Sequence, residues 1–127
     1  MLIEALIGIL IFSIGILAML GMQAVAMQTT IDAKYRSEAG YLANQIIGTI
    51  WVDRMNISTY DTVGGSGNAR LTAWKAQVAQ MLPGATGANA PAIIVAGRQV
   101  TVTVKWQRPG DTAASQQFAI AQINDPI

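Results

Sequence analysis

Residues 4–22 form an apolar run that contains a single charge, Glu4, and one further polar side chain, Ser13. The run has no proline, and it is long enough to cross a lipid bilayer as a helix. A carboxylate in such a run is a candidate functional group, because ionisable side chains are costly in lipid. We therefore predict a helix over residues 2–22 that lies in lipid or packs against other apolar helices.

A run of this kind can also be a secretory signal peptide or the buried core helix of a soluble protein. A signal peptide opens with basic residues and closes on small ones, whereas the first basic residue here is Lys34. The surface helix of a small soluble domain carries one apolar stripe, whereas residues 2–22 are apolar on all sides. We expect the segment to be retained as a single-pass membrane helix.

The composition excludes several classes of chemistry. Charged residues make up 12% of the 127 residues, the formal net charge is +1, and histidine and cysteine are absent. The scattered basic residues form no patch, so no nucleic-acid partner is expected. Without His or Cys, and with acids placed singly, no catalytic pair and no metal or cofactor site is predicted. We expect a protein that is not an enzyme.

Residues 23–56 contain no proline, but their composition is more polar than that of the preceding run. Their apolar side chains recur at spacings of three or four residues, or at sums of these, at Ile31, Tyr35, Leu42, Ile46 and Ile50. This period predicts that the helix continues with one packing face. If it is unbroken from Leu2 to about Asn56, the helix is roughly 80 Å long.

Residues 57–127 predict a small head. The glycine-rich segment 57–70 is predicted to be a flexible connection, and the spacing in 71–82 predicts a short helix that ends before Pro83. Strands are predicted at 93–96, 99–107 and 116–123, and Phe118 and Ile120 share a face of the third strand. The alternation in 99–107 indicates an antiparallel sheet with one buried face, which the amphipathic half of the long helix is expected to cover.

Two segments of the apolar run, MLIEALI at 1–7 and IFSIG at 11–15, resemble the N-terminal motif of type IV pilin-like proteins, most of all PilV-type minor pilins. Weaker similarities follow in order, and the last of them is VTVKW at 102–106. The resemblance implies an α+β fold in which a long N-terminal helix packs by its second half on a small antiparallel sheet. It also implies three parts: an apolar helix at 1–22, its amphipathic continuation at 23–56 and a head at 57–127.

The same resemblance implies the function of a minor pilin, a structural subunit of a type IV pilus in the priming or tip complex. The chain is then processed by a prepilin peptidase, methylated, held in the bacterial inner membrane and finally assembled into the extracellular filament. Its expected partners are the major pilin and other minor pilins, which it meets through the N-terminal helix. Two alternatives remain open: a type II secretion pseudopilin, which shares the motif, and a single-pass anchored binding domain.

The candidate assembly residues lie in the apolar helix. The resemblance implies that the Glu4 carboxylate pairs with an α-amino group, either that of its own chain at Met1 or that of an adjacent subunit. The glutamate stands fourth rather than fifth, so we expect the processed N-terminus one residue upstream. Gly8, Gly15 and Gly21 are interpreted as helix-packing positions near one face. Gly21 occupies the position at which major pilins typically have a helix-bending proline.

Overall fold

The computed structural model describes residues 1–125, which form two helices and one sheet. Helix α1 spans Leu2–Val52, helix α2 spans Ala69–Met81, and the strands are β1 (Ala92–Ala96), β2 (Gln99–Trp106) and β3 (Ser115–Gln122). Short 3-10 helices cover Arg54–Tyr60 and Gly87–Asn89. The predicted α+β fold, with a long N-terminal helix packed on a small three-stranded antiparallel sheet, is confirmed. Helix α1 continues through Gly21 without a break.

The chain divides into two compact units, which are Met1–Lys34 and the residues from Tyr35 onward. The second unit, called the head below, contains the hydrophobic core. Its sheet has the order β1-β2-β3, and both neighbouring pairs are antiparallel. The alternation predicted in β2 is confirmed, because Val100, Val102, Val104 and Trp106 are buried.

The second half of α1 provides one cover for this core. Five of its residues are buried: Ala39, Leu42, Ala43, Ile46 and Ile50. The predicted stripe is therefore correct from Tyr35, which packs at the edge of the core, to Ile50. Ile31 is the exception, since it is 40% exposed and belongs to the N-terminal unit.

Helix α1 ends at Val52, earlier than the expected position near Asn56. The cause is local polar bonding: the Asn56 backbone N–H donates to the Asp53 carbonyl at 2.9 Å, and the Asn56 side-chain amide donates to the Asp53 carboxylate at 2.8 Å. The tighter 3-10 helix follows, and it overlaps the start of segment 57–70, which was predicted to be a flexible connection. Helix α2 begins at Ala69, inside that segment, and the Asn68 side chain caps it by accepting the Arg70 and Leu71 backbone N–H groups.

Asp53 also ties the end of α1 to the 3-10 helix and to α2. Its second carboxylate oxygen accepts the Tyr60 hydroxyl at 2.8 Å, and the Arg70 guanidinium lies 3.7 Å away. The hydrogen bonds from Asn56 and Tyr60, together with the charge of Arg70, lower the pKa of Asp53 below its ordinary value of 3.8. The resulting stabilisation of the head is fully present at pH values above the ordinary pKa of Asp53. It is lost as the pH falls through the lowered pKa.

Phe118 and Ile120 share a face of β3, as predicted, but it is the outer face of the sheet. Both side chains are 58% exposed. Their neighbours Ala119 and Ala121 pack against the core instead. The register explains this, because Ala119 pairs with Val102 and Ala121 pairs with Val100, and opposite residues in a sheet share a face.

Gly84 marks a close approach between the turn after α2 and the end of β2. The Gln107 backbone N–H donates to the Pro83 carbonyl at 2.9 Å, and Gly84 has a φ of +64°. A Cβ atom at Gly84 would lie 2.6 Å from the Gln107 carbonyl oxygen. Only glycine fits both the backbone conformation and the space.

Gly84→Ala is therefore expected to destabilise the head by about 2 to 4 kcal/mol, from the left-handed backbone and the overlap with Gln107 together. Gly87→Ala is the matched control, because Gly87 has a φ of +59° but a Cβ atom there would meet nothing within 4 Å. That control should cost only about 1 to 2 kcal/mol. Urea unfolding of the detergent-solubilised chain, followed by tryptophan fluorescence, measures both. Equal losses would contradict the steric argument.

Candidate functional site

The N-terminal unit exposes a continuous apolar surface. Every residue from 1 to 34 is exposed, and the large apolar side chains include Phe12 at 69% and Leu17 at 67%. Helix α1 is long and apolar enough to cross a membrane. Since water strongly disfavours such a surface, this part of the chain is suited to lipid or to contact with other apolar helices.

The one polar side chain within the apolar run after Glu4 is already satisfied. Ser13 donates its hydroxyl hydrogen to the Ile9 carbonyl one turn earlier, at 2.7 Å. Such a bond allows a hydroxyl to lie in an apolar environment without an external partner. Burial of this segment therefore leaves Glu4 as the group whose charge needs a partner from outside.

Glu4 lies in the first turn of α1, where the helix dipole favours a carboxylate. The Met1 carbonyl accepts the Ala5 backbone N–H at 3.2 Å and so closes this turn. Within residues 1–125, the Glu4 carboxylate has no hydrogen-bond or ion-pair partner, and it is not paired with the Met1 amino group. The two predicted assembly residues thus lie close together at the first turn, but their charged groups do not form an ion pair in the single chain.

Gly15 forms the floor of a shallow recess on the helix surface. Its walls are Ile11 and Phe12 one turn before the glycine, the adjacent Ile16, and Met19 one turn after it. A Cβ atom at Gly15 would meet nothing within 4 Å, so the recess is open. Four residues around a gap are the arrangement that receives a side chain from a facing helix. The sequence reasoning missed these wall residues, although their positions follow from the i−4, i−3, i+1 and i+4 neighbours of a helical glycine.

A second recess surrounds Gly21, with walls at Ala18, Met22, Val25 and Ala26. The interpretation that all three glycines lie near one face is wrong for Gly21. Residues seven apart in an α-helix differ by only about 20° in direction, whereas residues six apart differ by about 120°. Gly8 and Gly15 therefore share a face, and Gly21 opens a different one. Two faces of the helix can receive neighbours.

No group of three or more His, Cys, Asp and Glu side chains that could hold a metal ion occurs among residues 1–125. The acids of the head that have shifted pKa values serve local structure. Asp111, for example, bonds Arg108 at 3.1 Å, which lowers the pKa of its carboxyl group.

No protein-family model, curated protein or solved structure matches this chain. The function is therefore inferred from the residues of the chain and their geometry.

Proposed function

We propose that this chain is a minor pilin, a structural subunit of a type IV pilus that acts in the priming or tip complex. The observation that carries the proposal is an apolar helical segment that is exposed on every side and has one unpartnered carboxylate, Glu4, in its first turn. The head has a separate hydrophobic core and does not need this segment for its own packing.

A plain membrane anchor accounts for the apolar surface but not for Glu4 or the recesses. In a plain anchor, a carboxylate near the helix start has only the favourable helix dipole, whereas a bundle of identical or related helices can also pair it with a neighbouring α-amino group. The recesses at Gly15 and Gly21 add two surfaces at which neighbouring helices can approach closely. Together these features support a segment that moves from lipid into a helical filament core.

On this proposal the chain resides first in the bacterial inner membrane, as a single-pass protein processed by a prepilin peptidase. It then enters the extracellular pilus, where its partners are the major pilin and other minor pilins. The apolar segment needs apolar surroundings both in the membrane and in the filament, and lipid tails and apolar helices are similar environments.

The direct test is recovery of the chain in filaments. An epitope-tagged full chain, expressed in piliated bacteria, is expected in the sheared pilus fraction as well as in the inner membrane. A matched control replaces residues 1–22 with an unrelated single-pass span, and this chain should insert but stay in the membrane. If the wild-type chain is also confined to the membrane, the proposal is wrong and an anchored binding domain is favoured. Recovery only in a secretion pseudopilus would indicate a pseudopilin.

A further inference from the structure

The two edges of the head's sheet are protected differently. At the β1 edge, the Thr62 backbone N–H and hydroxyl both donate to the Ile93 carbonyl at 2.9 Å, and the Ile93 N–H donates to the Thr62 hydroxyl oxygen at 3.1 Å. The edge of β1 is thus covered at Ile93. At the other edge, β3 makes backbone hydrogen bonds only with β2 among residues 1–125. Alternate N–H and C=O groups of β3 therefore lack a protein partner.

Strand β3 also lacks the features that usually prevent edge pairing. Natural edge strands are commonly short, charged, interrupted by proline or bulged. The sequence of β3, SQQFAIAQ, contains no charge, no proline and no glycine, and it pairs with β2 over its whole length without a bulge. Its outer face carries the exposed apolar side chains Phe118 and Ile120. This edge is suited to receive a further strand.

We propose that β3 pairs antiparallel with β3 of a second copy of this chain, in a register centred on Ala119. The register follows from the order of the outer-face side chains along β3, which is similar in both directions from Ala119. With Ala119 at the centre, Phe118 lies opposite Ile120 of the partner subunit, and the same contact recurs on the other side of the two-fold axis. Gln116 then faces Gln122 of the partner subunit in the same way. The strand is therefore self-complementary on its outer face.

Neighbouring registers are less favourable. A shift by one position in the pairing places the outer face of one strand opposite the inner face of the other. Centring the axis on Phe118 instead places Ile120 opposite a glutamine of the partner subunit. Centring it on Ile120 places Phe118 opposite a glutamine. Because β3 carries no charge, the two paired strands themselves do not repel each other electrostatically. The Ala119 register alone joins apolar to apolar on both sides of the axis.

This pairing concerns the head and goes beyond the proposed filament role of the N-terminal helix. The chain has no cysteine, so single introduced thiols report on it without background. In the proposed register, the two Ala119 Cα atoms are about 4.5 to 5.5 Å apart, within the range of a disulfide. Ala119→Cys is the test variant. Ala96→Cys, at a more exposed alanine on β1, is the matched control.

The experiment oxidises the full-length variants in isolated membranes and separates them by non-reducing electrophoresis. Ala119→Cys is expected to give about tenfold more disulfide-linked homodimer than Ala96→Cys, because only the first pair is within bridging distance. A mixture of Gln117→Cys and Ala121→Cys chains should also cross-link, since these positions lie opposite each other, whereas either variant alone should not. The mixture fixes the register independently of Ala119.

Three results would overturn the proposal. Homodimer from Ala119→Cys no greater than from Ala96→Cys would show that the edge is not paired with itself. Cross-linking of Ala119→Cys to a different protein, identified by mass spectrometry, would assign the edge to another partner. Finally, Phe118→Lys in the Ala119→Cys chain is expected to reduce the homodimer severalfold, since two lysines then approach the two-fold axis; unchanged homodimer would contradict the outer-face contact.

Discussion

Glu4→Gln is expected to leave the chain in the inner membrane and to abolish its recovery in sheared filaments. Glutamine keeps the size of the side chain and removes its charge. Insertion should not suffer, because removing a charge from an apolar segment lowers its cost in lipid. Assembly should fail, because the proposed attraction to the α-amino group of an adjacent subunit is lost in a site without water, where the partner's charge is left unpaired.

The measurement is an immunoblot of the sheared pilus fraction against the membrane fraction of the same cells. Asp32→Asn is the matched control: it neutralises a carboxylate of α1 that lies beyond the apolar run, and it should allow normal incorporation. The Glu4→Ala variant should behave like Glu4→Gln, which separates the effect of charge from that of hydrogen bonding. Normal incorporation of either Glu4 variant would contradict the proposed pairing.

The sequence was sufficient where a single periodicity dominated. Leu71, Trp74 and Val78 predicted α2 because their spacing matches one face of a helix, and they are its buried residues. The strict alternation of valine and threonine predicted β2 equally well, because a half-buried strand has a period of two. These are local patterns, and the packing of the head does not override them.

The sequence was insufficient where contacts distant in the chain decide the outcome. Hydrophobicity gives no reason to place Ala119 and Ala121 inside and Phe118 and Ile120 outside. The pairing of β3 with β2 determines which side chains are buried, because the buried face of a strand can be assigned only once its register is known. The end of α1 has a different cause, because it depends on local hydrogen bonds between Asn56 and Asp53 that the hydrophobic periodicity does not predict.

The sequence proposes Glu4 and the glycines as candidate site residues of the apolar helix, but it did not identify the side chains around them. Sequence spacing predicts a packing position at Gly15, and the helix surface shows the four side chains that surround the recess there. The partner of Glu4 was left open between its own chain and a neighbour. The single chain shows no such pair within residues 1–125, which is why the neighbour is the partner in our proposal.

Trp74→Ala is expected to cause the largest loss of stability in the head. Trp74 is 4% exposed on α2, and its indole N–H donates to the Leu42 carbonyl of α1 at 2.9 Å. The side chain therefore joins the two helices that flank the core. Removing a buried tryptophan typically costs about 3 to 5 kcal/mol. The total free energy of unfolding of a small domain is only about 5 to 15 kcal/mol. Urea unfolding is expected to show a much lower midpoint, reported by the buried Trp106.

Trp51→Ala is the matched control, because Trp51 is 39% exposed near the end of α1 and its removal leaves no comparable cavity. Trp51→Ala should reduce the free energy of unfolding by well below half as much as Trp74→Ala does. Trp74→Phe separates the two contributions of the indole: it keeps most of the ring and loses the bond to Leu42, so a loss of about 1 to 3 kcal/mol is expected. If Trp51→Ala and Trp74→Ala shift the midpoint equally, Trp74 does not join α2 to α1. If Trp74→Phe alone is neutral, packing rather than the hydrogen bond holds the two helices together.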